Sequence, residues 1–199
     1  ELGMLHTPNF PPDMPALVAQ IYNRQTASDV KLTLNAVYPD QHPVRLVHNA
    51  GTANQVVEDL MLFEIDRSEH IGLLTALFVL PLESETSLEG FQEIVAHLRA
   101  PDGCPWDKEQ TIQTMAQSLL EETYEALEAI DAGDMDGLQE ELGDLMLLIT
   151  MYAQMGSEEG LFDMAHVIQG IHRKIVRRHP HVFGEVSVGG TQGVLGNRE

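Results

Sequence analysis

Four acidic side chains stand in two pairs at helical spacing, Glu122 with Glu125 and Glu141 with Asp144. Residues three apart share one face of a helix, so each pair presents two carboxylates side by side if its segment is helical. No His or Cys lies between the pairs, and oxygen-only ligands suit a hard divalent cation. The spacing therefore indicates a Mg²⁺ site, with Mn²⁺ as the alternative ion.

Both acid pairs lie toward the apolar side of their helices. At about 100° per residue, Glu122 and Glu141 fall inside an apolar stripe, whereas Glu125 and Asp144 fall at its edge. The stripe residues are Met115, Leu119, Ala126 and Ile130 in the first helix, and Leu138, Leu145, Leu148, Ile149 and Tyr152 in the second. Acids needed only for solubility would lie opposite this stripe.

Unpaired carboxylates on a packing face would be costly, so a bound cation is the favoured interpretation. A di-iron bundle would require Glu-x-x-His on its helices, and the sequence contains no such motif. A purely structural role for the acids stays open as the alternative.

Basic residues cluster at the end of the last predicted helix. Lys174 and Arg178 are four apart and border its apolar stripe, which favours contacts with phosphate oxygens. Arg173 and Arg177 point further away, and the helix macrodipole alone accounts for part of their presence. Metal-binding acids together with these bases indicate a polyphosphate site. The sequence has no P-loop motif.

A Pro- and Gly-containing segment precedes the acid-bearing helices and offers two more candidates for substrate binding. Lys108 is the single base between Asp107 and Asp163, and it could reach a phosphate or pair with an acid. Trp106 could stack on a nucleobase, although a lone Trp more commonly fills a gap in a core.

The elements that must position these residues divide the chain at about residue 86. Residues 1–86 are predicted to be α+β, with helices over 14–22 and 27–37 and strands over 44–48, 60–65 and 75–82. Residues 87–184 are predicted to be all-α. A capping box at Thr86 and Glu89 begins the first helix, and a long helix over 111–131 ends before Gly133. The next begins at Asp134 or Asp136, and the last begins at Asp163. Residues 185–199 are rich in glycine and are predicted to be a flexible tail.

Composition excludes several partners. The chain has 31 acidic and 11 basic residues, a net charge of −20, which opposes binding to nucleic acid polymers and to anionic membranes. Its 43% hydrophobic content is that of a globular protein, without the ~18 consecutive apolar residues of a membrane span. A single cysteine, Cys104, and the absence of a signal-peptide pattern favour a cytoplasmic location.

Residues 88–186 contain four motifs: Cys104-Pro105-Trp106-Asp107-Lys108-Glu109-Gln110-Thr111, Glu121-Glu122-x-x-Glu125, Glu141-x-x-Asp144 and Arg177-Arg178-His179-Pro180-His181-Val182-Phe183. Together these motifs resemble the MazG family of all-α nucleoside triphosphate pyrophosphohydrolases. The resemblance implies Mg²⁺-dependent hydrolysis of (d)NTPs to monophosphate and pyrophosphate in a bundle completed by dimerisation.

The resemblance also implies roles for individual residues. It assigns metal binding to Glu122, Glu125, Glu141 and Asp144, and phosphate contacts to Lys108 and the Lys174–Arg178 region. We expect water to attack the α-phosphorus, with Glu121 or one of the ligand acids accepting its proton.

The first 86 residues resemble the C-terminal half of a tetrapyrrole (SAM-dependent) methylase domain, on the segment Tyr22-x-x-x-x-Ala27-Ser28-Asp29-Val30-Lys31-Leu32-Thr33-Leu34 and the stretch 60–82. The chain lacks the glycine-rich methyl-donor site expected of such a domain, so methyl transfer is not predicted. The alternative function is a regulatory or nucleotide-sensing dimerisation module with little turnover.

Overall fold

The computed structural model describes residues 2–83 and 86–184. The chain divides into two compact units between Glu93 and Ile94, so the boundary lies within the first helix of the predicted all-α region. The glycine-rich tail predicted over 185–199 lies outside the described residues.

The first unit contains a four-stranded antiparallel sheet with strand order β1-β4-β2-β3. The strands are β1 (Ala16–Val18), β2 (Pro43–His48), β3 (Val56–Met61) and β4 (Thr75–Val79). Helix α1 (Arg24–Leu34) begins after Asn23, whose side chain accepts a hydrogen bond from the Thr26 N–H. Alternate residues of β2 and β4 pack with α1 in a buried apolar core, and 3₁₀ helices flank it at Leu2–Met4 and Leu62–Arg67.

Two predictions for this unit are corrected by the structure. The helix predicted over 14–22 is wrong, because Ala16–Val18 form the edge strand β1, paired with Val79, Phe78 and Leu77 of β4. The strand predicted over 60–65 instead covers Val56–Met61, and the chain turns into the 3₁₀ helix at Leu62. Pairing with a distant strand decides both outcomes, and local periodicity carries no information about it.

The second unit is helical. Its elements are α2 (Leu88–Arg99, which begins in the first unit), α3 (Pro105–Glu109), α4 (Ala116–Ala132), α5 (Met135–Glu158), α6 (Met164–Arg178) and α7 (Pro180–Phe183). At the start of α2, the Gly90 N–H donates to the Ser87 side chain. Ser87 therefore supplies the cap that the sequence pattern predicted at Thr86.

Helices α4 and α5 form a hairpin with a very short connection. Gly133 adopts φ 69°, a left-handed conformation that favours glycine, and Asp134 caps α5 by accepting from the Gly137 N–H. The structure thus selects Asp134 over Asp136 as the cap. Because the turn is so short, the two helices run antiparallel.

The apolar stripes of α4 and α5 are only partly covered by described residues. Met115, Ala126 and Leu148 are buried as predicted, but Ile130 and Ile149 are 52% and 48% exposed. Each helix also carries further exposed apolar residues: Leu120, Tyr124 and Leu127 on α4, and Leu142 and Met146 on α5. No helix in residues 2–83 and 86–184 has the length and apolar content to cross a membrane.

Candidate active site

Three carboxylates meet across the α4–α5 hairpin. Glu122 and Glu125 of α4 and Glu141 of α5, which we call the acidic cluster, each offer an oxygen within 4.8 Å of the other two. The antiparallel arrangement explains the meeting, because Glu125 and Glu141 lie at similar sequence distances on either side of the Gly133 turn. The structure thus brings three of the four predicted acids together, and their role as metal ligands stays a prediction.

The electrostatics of the acidic cluster are unfavourable without a cation. Partial burial raises the pKa of Glu122, and the nearby carboxylates of Asp144, Glu125 and Glu141 raise it further. One carboxylate oxygen of Glu141, Oε2, is buried and has no hydrogen-bond partner among the described residues. A bound cation would give this buried oxygen a partner.

Of the two other predicted acids, Asp144 lies beside the acidic cluster and Glu121 lies outside it. Asp144 is half-buried and close enough to raise the pKa of Glu122, although it is not one of the three acids within 4.8 Å. Glu121 is exposed, and its Oε1 accepts a hydrogen bond of 3.0 Å from Gln117. The structure therefore places Asp144 beside the cluster and directs Glu121 toward its helical neighbour.

The predicted phosphate-binding bases lie toward the C-terminal end of α6. Lys174 and Arg177 are exposed, whereas Arg178 is half-buried and its Nε is buried without a partner. Within the described parts of the chain, no hydrogen bond or ion pair joins these bases to the acidic cluster. Contacts of these bases with phosphate therefore stay predictions.

Residues 101–110, which we call the α3 loop, contain the two remaining candidates. The indole of Trp106 is 60% exposed at the start of α3, so it does not fill a core gap in this unit. The Lys108 ammonium donates to the carbonyl oxygen of Pro101 at 2.8 Å. This contact is with a carbonyl of the same loop, and it differs from both the phosphate and the acid partners considered for Lys108.

Sequence reasoning missed an ion pair between a buried arginine side chain and an exposed glutamate that contacts this loop. The Arg99 side chain is only 8% exposed and forms a salt bridge of 2.7 Å with Glu158 at the end of α5. Arg99 comes two residues before Pro101 and belongs to none of the helical acid or base clusters. The sequence contains no local signal that pairs it with an acid 59 residues away.

The residues of the acidic cluster fit a divalent cation. They supply oxygen ligands from two helices, and the buried Glu141 oxygen accepts no hydrogen bond from the protein. Hard cations such as Mg²⁺ prefer this donor set. A cation would also offset the mutual repulsion that raises the pKa of Glu122.

The chain is similar to several known proteins. Residues 110–183 match the family model of the MazG nucleotide pyrophosphohydrolase domain. Uncharacterized protein YabN of Bacillus subtilis (strain 168) is 44% identical over 187 residues, which are 92% of this chain and 38% of that protein. A nucleoside triphosphate pyrophosphohydrolase of Escherichia coli (strain K12) is 50% identical over 107 residues, covering 53% of this chain and 41% of that enzyme.

Two Thermotoga maritima proteins are also similar. Its nucleoside triphosphate pyrophosphohydrolase/pyrophosphatase MazG is 45% identical over 98 residues, 48% of this chain and 38% of that protein. A solved mazG-related protein from the same organism is 28% identical with a TM-score of 0.48, covering 56% of this chain and 95% of that chain. The chain spans about two fifths of the length of YabN and of the E. coli and T. maritima pyrophosphohydrolases. The residues that match the family model include all three acids of the acidic cluster.

Proposed function

We propose that the helical unit hydrolyses nucleoside triphosphates to the monophosphate and pyrophosphate. The main observation in support is the acidic cluster, in which three carboxylates from two helices converge and one buried oxygen lacks a partner. The family match over residues 110–183 includes all three acids and supports the same reaction class. The similar enzymes of E. coli and T. maritima are named for this activity.

Mg²⁺ is the proposed cofactor, held by Glu122, Glu125, Glu141 and Asp144, with Mn²⁺ as a substitute. When bound, it neutralises charge on the phosphate oxygens and acts as a Lewis acid at the reacting phosphate. The all-oxygen donor set supports a hard divalent cation of this kind.

The remaining residues bind the substrate and move protons. Water forms a bond to the α-phosphorus, the bond from that phosphorus to the bridging oxygen breaks, and pyrophosphate leaves. Glu121 or an acid of the cluster accepts the proton of the water. The bases Lys108, Lys174, Arg177 and Arg178 offset charge on the triphosphate and the departing pyrophosphate, and Trp106 stacks on the base.

We also propose that the helical unit forms a homodimer. Apolar side chains on three helices are exposed in the single chain, including Leu127, Met146 and Ile171, each between 47% and 51%. A second copy would bury these faces symmetrically. The single cysteine favours the reducing cytoplasm as the place where this enzyme acts.

For residues 1–86 we propose an origin as the C-terminal part of a tetrapyrrole methylase domain. The small antiparallel sheet is compatible with this origin, and the similarity to YabN extends over 92% of this chain, beyond the MazG region. No methyl transfer is proposed for these residues.

The activity is tested by incubating the chain with Mg²⁺ and each NTP or dNTP and separating the products. We expect equal amounts of monophosphate and pyrophosphate from the preferred substrates. Glu122→Gln and Asp144→Asn should abolish turnover with the fold retained by circular dichroism, while Glu140→Gln, an exposed neighbour on α5, should keep full activity. Binding of nucleotide without turnover would select the nucleotide-sensing alternative.

A further inference from the structure

Arg99 lies at the end of α2 and contacts two other elements of the helical unit. Its Nε donates to both carboxylate oxygens of Glu158, at 2.9 and 3.1 Å, and its Nη2 donates to one of them at 2.7 Å. Its Nη1 donates to the carbonyl oxygens of Asp107 and Gln110, the latter at 3.1 Å. Four of the five guanidinium N–H groups therefore have acceptors, on the last turn of α5 and on the α3 loop.

Only an arginine satisfies this set of acceptors. The guanidinium is planar and presents its donors in a fixed fork, whereas a lysine ammonium offers three donors on a flexible chain. Glu158 is held in turn by Arg99 and by a 3.0 Å bond from Gln154. The hydrogen bond from Arg99 is the main reason that the pKa of Glu158 lies below its ordinary value. The pair is thus charged at neutral pH and anchors the loop electrostatically.

The α3 loop depends on this anchor at the end that carries Trp106. At the other end, the Cys104 N–H donates to the Leu98 carbonyl, and Gly103 packs against the backbone of α2. The carbonyl oxygen of Asp107, in the last turn of α3, also accepts from the Gln110 N–H at 3.3 Å, and Gln110 is the C-cap of this helix. Arg99 adds a donor to each of these two carbonyl oxygens at the C-terminal end of α3, the element that carries the exposed Trp106.

We propose that Arg99 and Glu158 are a positioning pair that holds the α3 loop, and through it Trp106 and Lys108, in the conformation that receives the nucleotide. The kinetic part of this proposal rests on the proposed function, whereas the positioning part does not. Neither residue touches the substrate, because both act through the loop.

Trp106 reports on the loop directly, because it is the single tryptophan of the chain. We expect Arg99→Lys and Glu158→Gln to lower the steady-state fluorescence anisotropy of Trp106 and to increase its quenching by acrylamide, while far-UV circular dichroism stays unchanged. Glu159→Gln, the adjacent exposed acid without this salt bridge, is the matched control and should behave as wild type. If Arg99→Lys does not fold, the fluorescence of Glu158→Gln still tests the proposal. We expect Glu158→Gln to fold, because Arg99 can still donate to the carbonyl oxygens of Asp107 and Gln110.

Kinetics supply the second readout. In both variants KM for the nucleotide should rise by about threefold to tenfold with a smaller change in kcat, as expected for lost substrate positioning. In a Trp106→Ala background the same substitutions should change KM much less, because the loop residue through which they act is absent. Unchanged anisotropy and quenching in folded variants would overturn the proposal. A wild-type chain without pyrophosphate release would contradict the proposed function and leave the fluorescence test of positioning intact.

Discussion

At the scale of single residues, the acidic cluster is a set of like charges that the α4–α5 hairpin holds together. The pKa of Glu122 is raised by burial and by its acidic neighbours, and Glu141 Oε2 is buried without a partner. Glu141→Gln removes one of these like charges from the acidic cluster. We therefore expect it to change the free energy of unfolding of the metal-free chain only a little. It should also remove most of the stabilisation given by Mg²⁺, which reaches roughly 2.7 kcal/mol at a concentration of 100 times Kd.

Thermal unfolding with and without MgCl2 measures this effect. Glu140→Gln provides the matched control, because this exposed acid neighbours Glu141 outside the cluster, and Mg²⁺ should raise its Tm as in wild type. Equal stabilisation of Glu141→Gln and wild type would show that Glu141 is not a ligand.

A second residue-scale prediction concerns Glu58 in the first unit. Burial raises the pKa of Glu58, but hydrogen bonds from Ser68 and His48 and the charges of His48 and His70 outweigh it and hold the pKa below its ordinary value of 4.5. The contribution of Glu58 to stability is therefore complete above the unfolded-state pKa and is lost as the pH falls through the folded-state pKa. Glu58→Gln should cost about 1–3 kcal/mol at pH 7, and the difference from wild type should shrink toward pH 3.

Urea unfolding followed by circular dichroism at a series of pH values checks this prediction. Glu69→Gln, at an exposed acid next to Ser68 in the sequence, should follow the pH dependence of wild type. A difference between Glu58→Gln and wild type that stays constant down to pH 3 would be incompatible with a hydrogen-bonded Glu58 carboxylate.

At the scale of elements, helical periodicity indicated which acids lie close together, because these acids lie on two neighbouring helices. Glu122, Glu125 and Glu141 meet through the local hairpin at Gly133, and spacing within each helix determines which side chains share a face. The Arg99–Glu158 pair and strand β1 were not predictable in this way. Both depend on partners far along the chain, and the strand interval 16–18 is too short to show an alternating pattern.

The close approach of the α3 loop to α2 gives an element-scale prediction. A Cβ at Gly103 would lie 2.2 Å from the carbonyl oxygen of His97 and 2.3 Å from that of Leu98, and backbone atoms cannot move aside cheaply. Gly103→Ala should therefore destabilise the chain by roughly 1–3 kcal/mol. Gly170→Ala in α6 should instead stabilise the chain by about 0.5–1 kcal/mol, because the added Cβ would have no described atom within 4 Å apart from its chain neighbours and the backbone of its own helix.

Chemical unfolding of the two glycine variants measures the difference. The two substitutions should change the free energy of unfolding in opposite directions. This difference separates a steric constraint at Gly103 from the general effect of replacing a glycine in the helical unit. A neutral or stabilising Gly103→Ala would show that the loop does not lie against the end of α2.

At the scale of the whole molecule, the exposed apolar faces of the helices bear on the oligomeric state of the helical unit in solution. The sequence predicted amphipathic helices, but a single chain leaves Leu127 and Met146 about half exposed. Sequence alone cannot tell an apolar residue that packs inside the chain from one that packs against another copy, because both carry the same pattern.

We expect the chain to sediment as a dimer, and Leu127→Glu to shift it to monomer, because a buried charge opposes association. Sedimentation velocity at several concentrations tests this. Leu32→Glu, at an exposed position of α1 in the first unit, is the control and should leave the dimer intact. A wild-type monomer at all concentrations would contradict the dimer.

The position of water attack is the most direct test of the proposed hydrolysis. Hydrolysis of a nucleoside triphosphate in H2¹⁸O with Mg²⁺, followed by mass spectrometry of both products, identifies which phosphorus receives the solvent oxygen. We expect one ¹⁸O in the nucleoside monophosphate and none in pyrophosphate, because attack at the α-phosphorus makes pyrophosphate the leaving group. Label in pyrophosphate, or release of nucleoside diphosphate and orthophosphate, would contradict attack at the α-phosphorus.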